Sequence, residues 1–175
     1  MSRIKAHFVE IESMQQNGFH HVAFACRDLD ATVAFYQGLL DFPLVHTEMQ
    51  GNAEGFLRHI FFDLGDGSSL AFFYLQGIGE PKDYSTAIST DLGLPIWVNH
   101  VAFRADQARY DQVKETMTAQ LIKPVMEADH GWCRSVYYAD PNGILIEFCV
   151  DSPGFKPDPK AAMELLHAVP EGYTK

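Results

Sequence analysis

The sequence predicts an α+β protein built from two tandem copies of one βαβββ module. The tetrapeptide His-Val-Ala-Phe occurs at 21–24 and again at 100–103, each time at the start of a short apolar run of strand character. A helical pattern, a proline turn and a pair of aromatic-rich strands follow each copy at matching offsets. Agreement in order and spacing favours an internal repeat over two unrelated α+β segments that share common turn chemistry.

Both predicted helices begin behind an aspartate. Asp28 precedes a helix over 31–40, and Asp106 precedes a helix over 107–121. Apolar residues recur at helical spacing in both, at 29, 33, 36 and 40 and at 110, 113, 117 and 121. An aspartate at the N-cap accepts a hydrogen bond from the first turn, and the spacing gathers the apolar side chains on one face. Each module is therefore expected to bury one face of one helix.

The strands after each helix align between the modules. Strand segments 58–62 and 70–72 in the first module correspond to 134–138 and 146–148 in the second. The connecting turns contain Gly67 and Gly143, which can supply the positive φ that such hairpins need.

These correspondences set the predicted boundaries. The first module covers about 18–76, a linker rich in glycine and proline covers about 77–95, the second module covers about 96–150, and a tail covers 151–175. Within the tail, Asp158-Pro159 predicts a short helix through Val169, expected to cover a sheet edge.

Composition excludes several kinds of partner. A formal net charge of −10, without a compensating basic stripe, disfavours nucleic acid and anionic membranes, so a small-molecule substrate is expected. Cys26, Cys133 and Cys149 lie far apart, which indicates reduced thiols. The N-terminal stretch reads as neither a signal peptide nor a membrane span. A cytoplasmic location follows as an expectation.

The repeated histidines and one glutamate are the candidate metal ligands. Alternation along a strand places Ala23 on the face of His21 and Ala102 on the face of His100, and such small neighbours leave room for a ligand. Glu147 lies in an apolar strand on the face opposite Ile146. A carboxylate there is costly to bury unless it is paired or bound to a metal.

Pairing of the modules about a pseudo-twofold axis would bring His21, His100 and Glu147 together. Two imidazoles and one carboxylate form a ligand set that leaves coordination positions open. A single histidine at a strand start is more often a surface or hydrogen-bonded residue, but its repetition at equivalent positions favours ligation. His20 is the competing ligand, and alternation directs it away from the face of His21.

These residues resemble the vicinal oxygen chelate superfamily, which includes glyoxalase I, methylmalonyl-CoA epimerase, fosfomycin-resistance and bleomycin-resistance proteins and extradiol ring-cleaving dioxygenases. The resemblance covers about residues 18–150. It rests on Phe-His-His-Val-Ala-Phe at 19–24, Asn-His-Val-Ala-Phe at 99–103, and Asp-Pro-Asn-Gly at 140–143 leading to Glu147. It implies one domain over 1–175, a half-open mixed β-barrel around a divalent metal with the helices outside.

The resemblance also bears on the branch of the superfamily. Glyoxalase I and the epimerases usually take a fourth ligand at the position of Ala71, so a three-ligand site is favoured here. The stretch from His130 to Glu147 is similar to the extradiol dioxygenase signature. It departs from that signature at Ala128, and the chain has two modules where most of those enzymes have four.

The leading expectation is therefore an Fe(II)-dependent, extradiol-type dioxygenase that cleaves a small catechol-like aromatic with O2. In that resemblance Tyr137 would bond a substrate oxygen and His130 would donate to the bound substrate or intermediate. Tyr137 could instead be a plain core residue. His59 is a further acid–base candidate, with a surface role equally open.

Two alternatives remain from the sequence. One is a non-redox metalloenzyme, a glyoxalase-like lyase, an isomerase or a fosfomycin-type thiol transferase, using Mn, Ni, Zn or Mg. The other is a drug-binding resistance protein without catalysis. A homodimer is the expected assembly. Whether the modules pair within one chain or between two chains stays open.

Overall fold

The computed structural model describes residues 18–79 and 83–173. The chain divides into two compact units, one ending at Tyr84 and the other beginning at Ser85. This division falls inside the predicted linker. Each unit contains a four-stranded mixed sheet built as βαβββ, so the predicted α+β class and the two modules are confirmed.

The first unit contains β1 (His21–Cys26), α1 (Leu29–Val33), β2 (Leu44–Gly51), β3 (Phe56–Asp63) and β4 (Ser69–Gln76). The strand order is β1-β4-β3-β2. β1 runs parallel to β4, and the other pairs are antiparallel.

The first helix differs from its prediction in its second half. Asp28 is the N-cap, as expected, and its carboxylate accepts from the backbone N–H of Ala31 at 2.9 Å. After α1 the chain continues as a π-helix over Ala34–Leu39. Its wider turns include a hydrogen bond from the N–H of Leu40 to the carbonyl of Phe35. A periodicity near 3.6 cannot distinguish this wider turn from an α-helix.

Aromatic packing on one face of this sheet forms the core of the first unit. The ring of Tyr36 lies 5.0 Å from that of Phe72 and 5.4 Å from that of Phe62, and all three are fully buried. Side chains alternate along a strand, so Ala71 and Phe73, which flank Phe72 in β4, lie on the opposite face. That opposite face is the one that also carries His21.

The second unit contains α2 (Ile88–Asp91), β5 (His100–Arg104), α3 (Gln107–Ala119), β6 (Met126–Asp129), β7 (Cys133–Ala139), β8 (Leu145–Asp151) and α4 (Pro159–Leu165). Its order, β5-β8-β7-β6, repeats that of the first unit. The four-residue α2 lies in the predicted linker and was not predicted, because so short a helix shows no periodicity.

The α3 helix follows its prediction closely. Asp106 accepts from the backbone N–H of Arg109 at 2.8 Å, and the buried residues include Tyr110, Val113 and Met117. The helix ends at Ala119, two residues earlier than predicted. Leu121 has a φ of 59°, a left-handed conformation typical of the residue that ends a helix.

The tail helix α4 departs from its expected role. Asp158 accepts from the N–H groups of Lys160 and Ala161, so the predicted start is confirmed, but the helix ends at Leu165 instead of Val169. None of its residues is buried. The expectation that it covers a sheet edge is therefore wrong.

Cys26 and Cys133 are buried thiols and Cys149 is a half-buried one, in agreement with the expected reduced state. In the described ranges, every helix falls short of the length and apolarity needed to cross a membrane.

The equivalent turn glycines Gly67 and Gly143 differ in their surroundings. Both have positive φ, +88° and +75°, but a Cβ at Gly143 would lie 2.8 Å from the Cβ of Ala87 and one at Gly67 would meet no atom within 4 Å. We predict that Gly67→Ala lowers the free energy of unfolding by about 1–2 kcal/mol through backbone strain. Gly143→Ala should lower it by about 2–5 kcal/mol, because overpacking adds to the strain. Denaturant unfolding measures both, and equal losses would contradict this account.

Candidate metal centre

The sheet of the second unit brings His100 and Glu147 together on the face opposite α3. β8 runs parallel to β5, with Ala102 directly opposite Glu147, so His100 lies one step along the same face. Its Nε2 is 3.0 Å from Oε2 of Glu147. Glu147 is only 5% exposed, whereas the His100 side chain is 34% exposed. The pair is thus reachable through the histidine while the carboxylate stays buried.

Hydrogen bonds orient both members of the pair. The hydroxyl of Ser135 donates to Oε1 of Glu147 at 2.5 Å, and Nδ1 of His100 lies 3.0 Å from the carbonyl oxygen of Trp97. Because a carbonyl only accepts, Nδ1 carries a proton and Nε2 faces the carboxylate. Two acceptors do not approach to 3.0 Å without something between them, so the two atoms share either a proton or a metal cation.

This donor set fits a divalent metal. An imidazole and a carboxylate are usual ligands of first-row divalent ions, and each has the outer hydrogen-bond partner that orients such ligands. Among residues 18–79 and 83–173, no three His, Cys, Asp or Glu side chains are grouped to hold a metal ion. His100 and Glu147 therefore supply two donors, and His21 as the third ligand stays a prediction.

His21 holds the position in the first unit that His100 holds in the second. The ring centroids of His21 and Phe61 lie 5.5 Å apart, with an angle of 72° between the ring planes. Those of His100 and Tyr137 lie 5.9 Å apart, with an angle of 76°. Phe61 and Tyr137 are themselves equivalent in the repeat. The structure thus reproduces, module by module, the correspondence from which a shared role was predicted.

His20 contradicts its prediction. Its Nδ1 lies 2.8 Å from Nδ1 of His21, so the two side chains meet instead of diverging. β1 begins at His21 and His20 lies in the bend before it, where strand alternation does not apply. The contact occupies Nδ1 of His21 and leaves Nε2 on the far side of the ring.

Tyr137 and His130 lie beside the pair. The Tyr137 hydroxyl is 2.9 Å from Nε2 of His130, and the tyrosine is 5% exposed. Burial, with a contribution from the nearby Glu147 carboxylate, raises the pKa of Tyr137 to about 12. The phenol is thus protonated at neutral pH and can donate. His130 lies in the β6–β7 turn, where its N–H donates to the carbonyl of Cys133.

His59 lies on the site face of the first unit and is 7% exposed, which removes the surface alternative. Its ring stacks on Phe73 with centroids 3.7 Å apart, and its Nδ1 is 3.8 Å from Oε2 of Glu48. Its Nε2 has no hydrogen-bond partner in the described part of the chain. Burial lowers the pKa of His59, although Glu48 acts against the shift. His59 is thus a buried, neutral imidazole at neutral pH.

Ser135 and Glu48 were not predicted as site residues. Ser135 lies two residues before Tyr137, so alternation already placed it on the same face. Glu48 pairs with His59 across β2 and β3. The internal alignment matches Ser135 with His59, a predicted site residue, and so could have identified the serine. Glu48 could be identified only from the register between β2 and β3.

A family model now identifies the fold. The model described as the glyoxalase/bleomycin resistance protein/dioxygenase superfamily matches residues 18–148. The chain belongs to this superfamily. The match covers both modules and all three predicted metal ligands and ends before the tail.

Solved structures of other superfamily members share the fold. A glyoxylase/bleomycin resistance protein/dioxygenase domain from Frankia sp. EAN1pec has a TM-score of 0.58 at 18% identity, over 79% of this chain and 94% of that one. A variant of the fosfomycin resistance protein FosX from Listeria monocytogenes, in complex with Mn(II) and 1S,2S-dihydroxypropylphosphonic acid, has a TM-score of 0.53 at 21% identity, over 75% of this chain and 90% of that one. Lactoylglutathione lyase from Agrobacterium tumefaciens has a TM-score of 0.54 at 22% identity, over 78% of this chain and 96% of that one.

The environment of His59 yields a titration prediction for the metal-free protein. Its pKa should lie below 6.5, and Glu48→Gln should lower it further, because the carboxylate favours the charged imidazole. With a folded pKa below the unfolded value, the contribution of His59 to stability is present above pH 6.5 and is lost as pH falls through the folded pKa. Histidine NMR titration measures the shift, with the exposed Glu54→Gln as control. A pKa at or above 6.5, or a rise in Glu48→Gln, would refute the assignment.

Proposed function

We propose that this superfamily member is a divalent-metal enzyme that catalyses a non-redox reaction on a small substrate chelating through two neighbouring oxygens. The ligands are His21, His100 and Glu147, with the first module coming from the same chain or from a second copy. The supporting observation is the 3.0 Å approach of His100 to the buried carboxylate of Glu147, an arrangement in which the two atoms share a proton or a metal cation. The hydrogen bonds from Ser135 and to Trp97 hold that geometry.

Two solved structures support non-redox chemistry of the lyase, isomerase or transferase kind. The Listeria protein was crystallised with Mn(II) and a vicinal diol, and the Agrobacterium protein is a lyase. Mn, Ni, Zn and Mg all accept such a ligand set.

The side chains around the proposed metal have separable roles. A bound metal would polarise the substrate oxygens as a Lewis acid. Tyr137, protonated and beside Glu147, donates a hydrogen bond to a substrate oxygen, and His130 exchanges a proton with the Tyr137 hydroxyl. His59, buried and neutral, would accept a proton from the bound substrate at Nε2, which has no hydrogen-bond partner among the described residues, and would return it to the product.

Metal binding tests the ligand assignment. We expect Glu147→Gln and His100→Ala to weaken Mn(II) binding by at least about 100-fold, because each removes a ligand. Ser135→Ala should weaken it about 10–100-fold through loss of the orienting hydrogen bond. Electron paramagnetic resonance of free Mn(II) measures the affinities.

Glu127→Gln is the matched control, because Glu127 lies in the same module and pairs with Lys114 at 2.7 Å. Its Mn(II) affinity should equal that of the wild type. His21→Ala tests the contribution of the first module. Equal Mn(II) affinity in wild type, His21→Ala and Glu147→Gln would overturn the proposal.

A second candidate is an Fe(II)-dependent extradiol-type dioxygenase. The 2.9 Å contact between His130 and Tyr137 favours it, because both belong to the stretch that is similar to the extradiol signature. In this function the two residues would bond a catecholate substrate, and O2 would be the second substrate.

Metal replacement separates the two candidates. For the non-redox function we expect turnover of chelating substrates under argon, with Mn(II), Zn(II) or Mg(II) supporting it and no O2 consumed. Oxygen-electrode traces of Fe(II)-loaded protein with a catechol panel provide the comparison, with Glu147→Gln as blank. Oxygen uptake with a yellow ring-fission product only for Fe(II) would establish the dioxygenase. Ligand binding unchanged in His100→Ala and Glu147→Gln, without turnover, would instead indicate a drug-binding protein.

A further inference from the structure

A row of aromatic rings leads from the ligand pair to the surface of the second unit. Successive centroids lie 5.9 Å apart from His100 to Tyr137, 6.5 Å from Tyr137 to His130, 6.3 Å from His130 to Trp132 and 5.7 Å from Trp132 to Phe155. Tyr137 is buried, but Trp132 and Phe155 are 48% and 52% exposed. The row is therefore continuous with the proposed metal centre at one end and open to solvent at the other.

Backbone hydrogen bonds position the two segments that carry the outer rings. The N–H of Ser152 donates to the carbonyl of Trp132 at 2.8 Å, and the N–H of Phe155 donates to the carbonyl of Ser152 at 3.3 Å. The start of the tail is thereby attached to the turn that carries His130. An aromatic surface organised before binding loses little conformational entropy when a ligand covers it.

Phe155 lies outside the residues that the family model matches, which end at residue 148. Trp132 lies within the match, and its ring contacts Phe155 at an angle of 42°. Two exposed rings beside the proposed metal centre are suited to contacting the body of a bound substrate.

We propose that Trp132 and Phe155 form a subsite for an apolar, aromatic substrate body whose chelating head binds at His100 and Glu147. The substrate class is therefore a pair of neighbouring oxygens on an extended aromatic framework. This inference rests on the proposed function, because the chelating head needs the metal. Contact with both rings would remove large apolar surfaces from water and add aromatic pair interactions.

Two hydroxamic acids with the same head and different bodies test the subsite. For Mn(II)-loaded protein, naphthohydroxamic acid should bind at least about tenfold more tightly than acetohydroxamic acid. Trp132→Ala and Phe155→Ala should each remove most of that difference and leave the affinity for acetohydroxamic acid unchanged. Tyr173→Ala, which removes another exposed aromatic side chain of the tail, should retain the difference. Calorimetry measures all affinities.

A metal-free measurement tests the subsite independently. The chain has two tryptophans, so Trp97→Phe makes Trp132 the single fluorescent indole and keeps the carbonyl at position 97 that bonds His100. Naphthamide, which has the body without the chelating head, should quench this fluorescence saturably, and more weakly when Phe155→Ala is added.

The outcomes distinguish the two proposals. Equal affinities for both hydroxamic acids, with acetohydroxamic acid binding dependent on Glu147, would overturn the subsite and leave the metal centre intact. Saturable quenching by naphthamide, with hydroxamic acid binding independent of Glu147, would overturn the metal centre and leave the aromatic subsite established. Absence of both quenching and a naphthyl preference would overturn the subsite regardless of the metal.

Discussion

The burial of the Glu147 carboxylate is the constraint on which the site of the second module depends. A carboxylate that is 5% exposed loses its hydration, and only partners fixed by the fold can replace it. β8 lies between β5 and β7, so one neighbouring strand presents His100 and the other presents Ser135, each to a different carboxylate oxygen. The strand order therefore determines which residue types can stabilise the glutamate, and the histidine is the one that remains half-exposed for a ligand.

The first module shows what the same fold does without that carboxylate. Ala71 stands where Glu147 stands in the second module, and His59, the counterpart of Ser135, stacks on Phe73. One module therefore presents a histidine–glutamate pair, and the other presents a neutral imidazole next to His21. Divergence at a few inward-facing positions of the duplicated backbone thus gives the two modules different electrostatic environments, which suit the metal binding and the proton transfer proposed above.

Much of this architecture was predictable because it depends on local rules. The aspartate caps, the strand pairs and the face of Glu147 follow from hydrogen-bonding capacity and alternation. Alternation failed for His20 because that residue precedes the strand. The π-helix before Leu40 was missed because apolar spacing near 3.6 residues does not distinguish its wider turn from an α-helix. The contact of Ser135 with Glu147 depends on side-chain rotamers. The approach of Phe155 to Trp132 depends on where a tail without periodicity turns back.

Specificity in this chain should therefore be sought where the repeat ends. Phe61 lies beside His21 and Tyr137 lies beside His100, so these two rings belong to the duplicated part of the fold. Their position follows that of the histidines in both modules. Trp132 and Phe155 depend on the β6–β7 turn and the tail, and the tail has no counterpart in the first module. Since members of one fold differ in function through such local differences, the proposed metal centre would limit the kind of chemistry and the proposed aromatic subsite would select the substrate. A chelating head alone would bind any accessible metal, whereas a prearranged aromatic surface favours one class of chelator over others.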